Sequence, residues 1–302
     1  MLGAALLVAG VVLVVAGAEL FFEGVLQAAA RLRVTAFTLT AVVSGFELEN
    51  LAAGIAANAR GLEEAAAGTF LGGTTFLALG VAGLGAVAAP LRAELSRGVL
   101  AWTAASPLAL LALALDGTLS RLDGALLLAW FALVLIGIVR GARGLAHGRP
   151  PPTRRFPVLR LLAGLAVLTG GGWLLGDGLE RVVRRFGVSE SLLGNTAVAA
   201  AVEGEEIARV AAPARHGRGD VALGNVLGTI AHFAAFNAGV IALVRPLDIE
   251  GLTRSLHLPV AVAAVLVFCA VAALGNGIGR RAGLAFLVLY GSYVAAAVGF
   301  SV

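Results

Sequence analysis

The chain has 302 residues, of which 59% are hydrophobic and only 13% are charged. A soluble domain of this length could not cover so much apolar surface, so the composition excludes a water-soluble globular protein and indicates a polytopic membrane protein. All 22 basic residues are arginine, and with 18 acidic residues they give a net charge of +4. In a membrane protein such an excess of arginine reflects loop topology and not nucleic-acid binding.

Apolar runs long enough to span a bilayer predict ten transmembrane helices, five on each side of a basic, proline-rich segment. In chain order the runs are Leu2–Ala29, Val34–Asn58, Ala65–Pro90, Gly98–Leu115, Gly124–Val139, Val158–Val182, Val188–Ala211, Val221–Val244, Leu258–Leu274 and Ala282–Val302. We therefore predict a first five-helix repeat over residues 1–141, a cytoplasmic linker over 142–157 and a second repeat over 158–302.

Five helices per half is an odd number, so two homologous halves must insert with opposite orientations. Fifteen of the 22 arginines, Arg209 among them, then fall in loops on one side of the membrane. By the positive-inside rule this distribution predicts that both termini lie outside. We expect an integral protein of a prokaryotic cell (inner) membrane.

Two acidic motifs interrupt the apolar runs, with the sequences GFELEN at residues 45–50 and AVEGEE at residues 201–206. At one offset of 156 residues, the paired positions are Glu47 with Glu203, Glu49 with Glu205, Asn50 with Glu206, Thr40 with Thr196 and Gly72 with Gly228. A carboxylate at mid-bilayer costs about 2.5–3.5 kcal/mol on insertion scales, so acids buried in apolar segments indicate function. Two symmetric sets predict one shared cation site built from two halves.

These motifs resemble the two α-repeats of the sodium/calcium exchanger family, within the cation/calcium exchanger superfamily. That family's Gly-Thr-Ser-x-Pro-Glu motif is followed by a Gly-Asn-x-x-Gly-Ser-Asn segment, which ALGNVLGT at residues 222–229 matches closely and AGTFLGG at 67–73 matches loosely. The resemblance covers nearly the whole chain. It implies an all-α membrane protein with ten transmembrane helices in two inverted five-helix repeats.

The resemblance also shows where this chain departs from the family. The glutamates that coordinate calcium in the family fall on Asn50 and Glu206, so the first repeat lacks its carboxylate at that position. A polar sodium ligand of the family falls on Leu77 and Phe233, so sodium coupling does not follow. We interpret the chain as a divergent member with altered α-repeat motifs.

Residues three apart share a helix face, so Glu47 points with Asn50 and Glu203 with Glu206. If the helices cross as the resemblance implies, three carboxylates and an amide converge, and Thr229 adds a hydroxyl. Calcium takes about six to eight oxygens at about 2.3–2.6 Å, which these side chains and nearby carbonyls could supply. We expect Gly45 and Gly204 to loosen the backbone and expose such carbonyls.

Other polar residues have two readings. Glu49 and Glu205 lie about 100° around the helix from their neighbours, which favours a second shell or a proton path. Asn225 is expected to bond loosened backbone, and His232 either relays protons or packs as a hydrogen bonder. Arg209 either pairs with Glu206 or marks the inner surface, and we take it as a surface marker.

Crowded carboxylates in a low-dielectric site cannot all stay ionised, so the site holds either protons or a cation. We therefore predict a secondary antiporter that exchanges a divalent cation, calcium by default, for protons or sodium by alternating access. The chain is expected to be no enzyme and to use no cofactor. Its expected partners are the lipid bilayer and inorganic cations, with no nucleic acid and an undetermined oligomeric state. A transporter of another metal or an organic cation, and a non-transporting cation-binding membrane protein, remain alternatives.

Overall fold

The computed structural model describes residues 2–144, 156–184 and 199–301, and these are almost entirely helical. Most of the predicted linker, residues 145–155, lies outside the described residues. The first half contains, in chain order, α1 (Leu2–Leu32), α2 (Ala36–Val43), α3 (Leu48–Ala59), α4 (Glu63–Thr75), a π-helical turn (Phe76–Val81), α5 (Ala82–Ala88), β1 (Leu91–Arg92), α6 (Arg97–Leu113), β2 (Thr118–Leu119), α7 (Arg121–Gly141) and a 3₁₀ turn (Ala142–Gly144). The second half contains α8 (Pro157–Arg184), α9 (Ala199–Arg215), α10 (Gly219–Ala231), a π-helical turn (His232–Asn237), α11 (Ala238–Val244), β3 (Leu247–Asp248), a π-helical turn (Thr253–His257), α12 (Leu258–Gly275), β4 (Gly277–Ile278) and α13 (Arg280–Ser301).

Seven helical stretches in the described part of the chain are long and apolar enough to cross a membrane. The ten predicted spans exceed this number at three places in the chain. The predicted span Val34–Asn58 is broken into α2 and α3, and α6 has only 17 residues. The predicted span Val188–Ala211 lies partly outside the described residues, which resume with α9 at Ala199.

One stretch of the first half recurs in the second half at the offset of the acidic motifs. The stretch from α4 through its π-helical turn to α5 covers Glu63–Ala88, and its counterpart from α10 to α11 covers Gly219–Val244, 156 residues later at both ends. The π-helical turns, Phe76–Val81 and His232–Asn237, also coincide at this offset. π-helical turns inside α-helices are rare and frequently lie at functional sites. The duplicated turns therefore indicate that these two helices contribute to a functional site.

These two helices form the centre of the molecule. Their apolar windows are 78% and 83% buried, against 11–44% in the other five candidate spans. The outer helices instead expose large apolar side chains, for example Val8 on α1, Leu122 on α7 and Val288 on α13. An apolar exterior around a packed centre is the arrangement that a bilayer requires, because lipid and not water is the solvent there.

The first helices of the two halves, α1 and α8, pack along their whole lengths through glycines spaced seven residues apart. The glycines are Gly10, Gly17 and Gly24 on α1 and Gly164, Gly171 and Gly178 on α8. A Cβ on Gly17 would lie 2.6 Å from the backbone nitrogen of Leu168, so only glycine allows this approach. Gly10 of α1 faces Leu175 of α8, whereas Gly24, further along α1, faces Leu161, which comes earlier in α8. The two helices are therefore antiparallel.

Two short strand pairs also join the halves. β1 pairs with β4, with Leu91 opposite Ile278, and β2 pairs with β3, with Leu119 opposite Leu247. Each pair is antiparallel and takes one strand from each half of the chain. The segments that connect the helices therefore also form contacts between the two halves.

The break between α2 and α3 places the first acidic motif. Residues 44–47 are not helical, and the Ser44 hydroxyl turns back to bond the Thr40 carbonyl at 2.7 Å. Gly45 lies against the ring of His232, where a Cβ would be 2.1 Å from the ring carbon Cγ. Only glycine therefore fits at position 45. Because residues 44–47 are not helical, their carbonyls are not all used in helical hydrogen bonds. At Gly204, by contrast, the backbone stays helical within α9, so the expected loosening there is wrong.

Candidate cation site

Glu47 is the last residue of the break and lies directly before the first turn of α3. Asn50, one turn later, donates from Nδ2 to Glu47 Oε2 at 2.6 Å. The two residues therefore share one face, as their spacing predicts. In this arrangement the Asn50 amide orients the carboxylate, and the other carboxylate oxygen, Oε1, points toward α9.

Glu205 and Glu206 enter the same region from α9 in the second half. Both are buried, with 5% and 1% of their surfaces exposed. Glu206 Oε2 accepts a hydrogen bond from Asn225 Nδ2 of α10 at 2.6 Å. Asn225 therefore bonds a carboxylate and not loosened backbone, which corrects the sequence interpretation.

Arg209 stands at the centre of these acids and is itself buried, with 4% of its surface exposed. Its Nη2 lies 2.7 Å from Glu205 Oε1 and 3.5 Å from Glu47 Oε1, and its Nη1 lies 2.9 Å from Glu206 Oε1. Nη1 also donates to the Ser44 carbonyl at 2.9 Å. One guanidinium thus joins three carboxylates and a freed carbonyl from both halves. We call Glu47, Glu205, Glu206 and Arg209 the Arg209 cluster.

The interpretation of Arg209 as an inner-surface marker is therefore wrong. The sequence does contain the signal that identifies its role, because Arg209 follows Glu206 by three residues and Glu205 by four. Acids and bases at these spacings lie on one helix face and pair with each other. A buried arginine also needs such partners, since an unpaired charge away from water is strongly unfavourable.

A cavity of about 270 Å³ opens beside the Arg209 cluster. Its polar wall carries Glu47, Glu49, Asn50, Glu205 and Arg209. The other lining residues are Phe46 and, from α8, Leu162, Leu165, Ala166 and Thr169. Glu49 and Glu205 therefore line the same open space, and their assignment to a second shell or a proton path stays a prediction.

His232 and Thr229 lie on the neighbouring helix of the centre. The His232 ring packs against Phe46, Phe131 and Phe236 at centroid distances of 4.7, 4.6 and 6.1 Å, and its Nδ1 lies 2.8 Å from the Gly228 carbonyl. Among the described residues neither His232 Nε2 nor the Thr229 hydroxyl has a hydrogen-bond partner. This aromatic enclosure favours packing over proton relay for His232.

The positions where the resemblance places sodium ligands are filled by apolar groups. Phe233 and Leu77 are buried, and a Cβ on Gly73 would lie 2.3 Å from Phe233 Cε2. The phenyl ring therefore occupies the space into which a serine at position 73 would project. This region offers no oxygen from those side chains to a small cation.

In the part of the chain that the structure describes, ion pairs hold the Arg209 cluster together. In the described part of the chain no group of three or more His, Cys, Asp or Glu side chains is arranged to hold a metal ion. The side chain of Glu203 lies outside the described residues. The assignment of Glu47, Asn50, Glu203, Glu206 and Thr229 as metal ligands stays a prediction. Three carboxylates around one guanidinium leave an excess of negative charge that a cation would neutralise.

Comparison with known proteins gives one consistent result. The family model described as sodium/calcium exchanger protein matches residues 2–140 and 156–299. The chain is 29% identical over 290 residues to the inner membrane protein YrbG of Escherichia coli strain K12, covering 89% of this chain and 88% of YrbG.

Solved structures of the sodium-calcium exchanger NCX_Mj have the same fold. One superimposes with a TM-score of 0.85 at 24% identity, covering 98% of this chain and 99% of that one. Another gives a TM-score of 0.83 at 24% identity over 98% of both chains. The predicted all-α exchanger fold is therefore confirmed.

Proposed function

The chain belongs to the sodium/calcium exchanger protein family, and on that premise we propose that it exchanges a divalent cation, calcium by default, for protons or sodium. Membership of this family supports an integral membrane antiporter of cations in general. The identity of the two ions is our proposal. We place the protein in a prokaryotic inner membrane, which the inner-membrane relative YrbG supports. We place both termini outside on the distribution of arginines between the loops alone.

The observation that carries the proposal is the convergence of acids from both halves on one place. Glu47 comes from the first half, and Glu205 and Glu206 come from the second. With Arg209 included, three carboxylates and one guanidinium carry two negative charges in excess when all are ionised. A divalent cation would offset this excess of negative charge, and carboxylate, amide and carbonyl oxygens are the ligands that calcium prefers.

The location of the Arg209 cluster fits alternating access. It lies where the break between α2 and α3 meets α9, at a boundary between the two halves. In transporters with inverted repeats, one half moves against the other around a fixed site. A small displacement of α9 relative to the break would separate Arg209 from Ser44 and change which side of the cluster is open.

Among counter-ions we favour protons. Phe233 and Leu77 fill the positions at which the family resemblance expects sodium ligands, and they offer no oxygen. Carboxylates in a low-dielectric site accept protons when a cation leaves, because several adjacent negative charges cannot persist there. A proton needs no further ligand, whereas sodium would need several oxygens.

A second candidate substrate is an organic cation. The cavity of about 270 Å³ is much larger than a bare ion, and it is lined by acids together with the apolar residues Leu162 and Leu165. An amine with an apolar body would fit such walls. Addition of an organic amine to the calcium flux assay distinguishes the two substrates. An amine that is itself a substrate would inhibit calcium uptake, whereas a site for calcium alone would be unaffected.

Calcium flux in proteoliposomes tests the proposal. Uptake is driven separately by a pH gradient at constant sodium and by a sodium gradient at clamped pH. We expect uptake with the pH gradient and its loss in Glu206→Gln. Glu19→Gln is the matched control, since Glu19 pairs with His216 at 2.9 Å on the surface. Sodium-driven uptake without a pH effect would overturn the choice of protons. Absence of uptake under both gradients in folded protein would overturn calcium as substrate.

A further inference from the structure

Arg209 is a permanent positive charge inside the site at which cations are expected to bind. The guanidinium does not lose its proton under physiological conditions. Its side chain is 3% exposed and is held by three carboxylates and the Ser44 carbonyl. The position is fixed by the local helix geometry, because α9 places Glu205 and Glu206 one turn before Arg209 on the same face.

Among the described residues that line the cavity, Glu49 is the one carboxylate outside the Arg209 cluster. The α8 wall contributes Leu162, Leu165, Ala166 and Thr169, of which only Thr169 carries a polar side chain. Removing a buried guanidinium from its carboxylates would leave uncompensated charges on both sides. We therefore expect Arg209 to stay paired with Glu205 and Glu206, the carboxylates of its own helix, when an ion binds or leaves.

A fixed positive charge changes how many counter-ions the cycle needs. When a divalent cation leaves a carboxylate site, monovalent ions bind in its place until the negative charge of the vacated site is neutralised. The divalent ion itself fills the site without a monovalent companion, so each resident positive charge lowers by one the number of monovalent ions exchanged for it. We propose that Arg209 is a built-in counter-ion that replaces one transported monovalent ion in each exchange cycle. This inference rests on the proposed exchange function and adds a determinant of its stoichiometry.

The coupling coefficient, the number of monovalent ions exchanged per divalent ion, is the quantity that tests this role. It is measured in proteoliposomes with the membrane potential clamped by potassium and valinomycin. At a set counter-ion gradient, the calcium gradient at which net flux stops gives the coefficient. A change in protein stability or in transport rate does not alter this equilibrium value, so a merely structural role would leave it unchanged.

Charge variants should shift the coefficient in a defined order. Arg209→Gln should raise it by one relative to the native protein, and Glu205→Gln should lower it by one. The double variant Glu205→Gln/Arg209→Gln restores the net charge and should return the native coefficient, as should Arg209→Lys. Arg218→Gln removes an arginine that pairs with Asp220 at 2.7 Å outside the Arg209 cluster, and it should leave the coefficient unchanged.

The outcomes separate this inference from the proposed function. A coefficient that rises in Arg209→Gln and returns in the double variant would support a built-in counter-ion. Calcium flux with the same coefficient in the native protein, Arg209→Gln and Glu205→Gln would overturn the inference and leave the exchange function standing. If Arg209→Gln does not fold, Glu205→Gln and the double variant decide the question by the same criterion. Absence of flux in the native protein would instead contradict the exchange function.

Discussion

The guanidinium of Arg209 donates to the backbone carbonyl of Ser44 at 2.9 Å. This contact joins α9 of the second half to the break between α2 and α3 in the first half. The same guanidinium pairs with Glu47 of the first half and with Glu205 and Glu206 of the second. Arg209 is therefore a structural link between the halves as well as part of the charge of the site.

Loss of this link should destabilise the protein in a way that calcium reverses. Removing one partner of a buried ion pair typically costs about 3–5 kcal/mol, because the remaining charges are left unpaired. We expect Arg209→Gln to lower the thermal unfolding midpoint in detergent and to show a larger upward shift with calcium than the native protein. The measurement is thermal unfolding with and without calcium. Equal calcium shifts in both proteins would contradict the account.

The glycines between α1 and α8 allow a test within one pair of neighbours. A Cβ on Gly171 would lie 2.7 Å from the backbone nitrogen of Val14, whereas a Cβ on Gly170 would meet nothing within 4 Å. We expect Gly171→Ala to destabilise the protein by about 1–3 kcal/mol, the usual cost of overpacking. Gly170→Ala should have little effect. Thermal unfolding of both variants checks this, and equal effects would contradict the close antiparallel packing of α1 and α8.

Gly45 provides the same comparison at the site. A Cβ there would lie 2.1 Å from the His232 ring, whereas a Cβ on Gly72 would meet nothing within 4 Å. Gly45→Ala should displace the break and the Ser44 carbonyl with it, so we expect loss of calcium uptake in proteoliposomes. Gly72→Ala, in the same half, should retain it. Full uptake by Gly45→Ala would show that the geometry of the break is not needed for transport.

Gly73 and Phe233 should be energetically coupled. Gly73→Ala alone places a Cβ 2.3 Å from the Phe233 ring, so it should destabilise the protein. Shortening the ring in Gly73→Ala/Phe233→Ala removes that overlap, and the double variant should lose less stability than the sum of the two single changes. A double-mutant cycle by thermal unfolding measures the difference. Additive effects would mean that the ring does not fill this position.

Much of the fold could be predicted from the sequence, because lipid imposes long apolar helices and the acidic motifs repeat at one offset. The offset extends to element boundaries, since the π-helical turn at Phe76 has its counterpart at His232. The break at Gly45 follows from a glycine beside polar residues. Gly204 of the second motif also lies beside acids but stays within α9, so the low helix propensity of a single glycine does not decide where a helix breaks.

The site was only partly predictable. The spacing of Glu47 and Asn50 indicates their shared face, and their hydrogen bond follows from it. A count of arginines by loop treats every arginine as exposed to water, and for this reason it places the buried Arg209 wrongly at the inner surface. The partners of Arg209 and Asn225 come from elements distant in the chain, and contacts of that kind depend on how the helices cross.

Equilibrium binding of radiolabelled calcium to the purified protein tests the central claim most directly, that the carboxylates meeting at Arg209 form a divalent-cation site. We expect saturable binding of about one calcium per chain. Glu206→Gln should abolish that binding, whereas Glu19→Gln, which alters an exposed pair with His216, should retain it. Calcium binding that survives intact in folded Glu206→Gln, or no saturable binding by the native protein, would contradict the account.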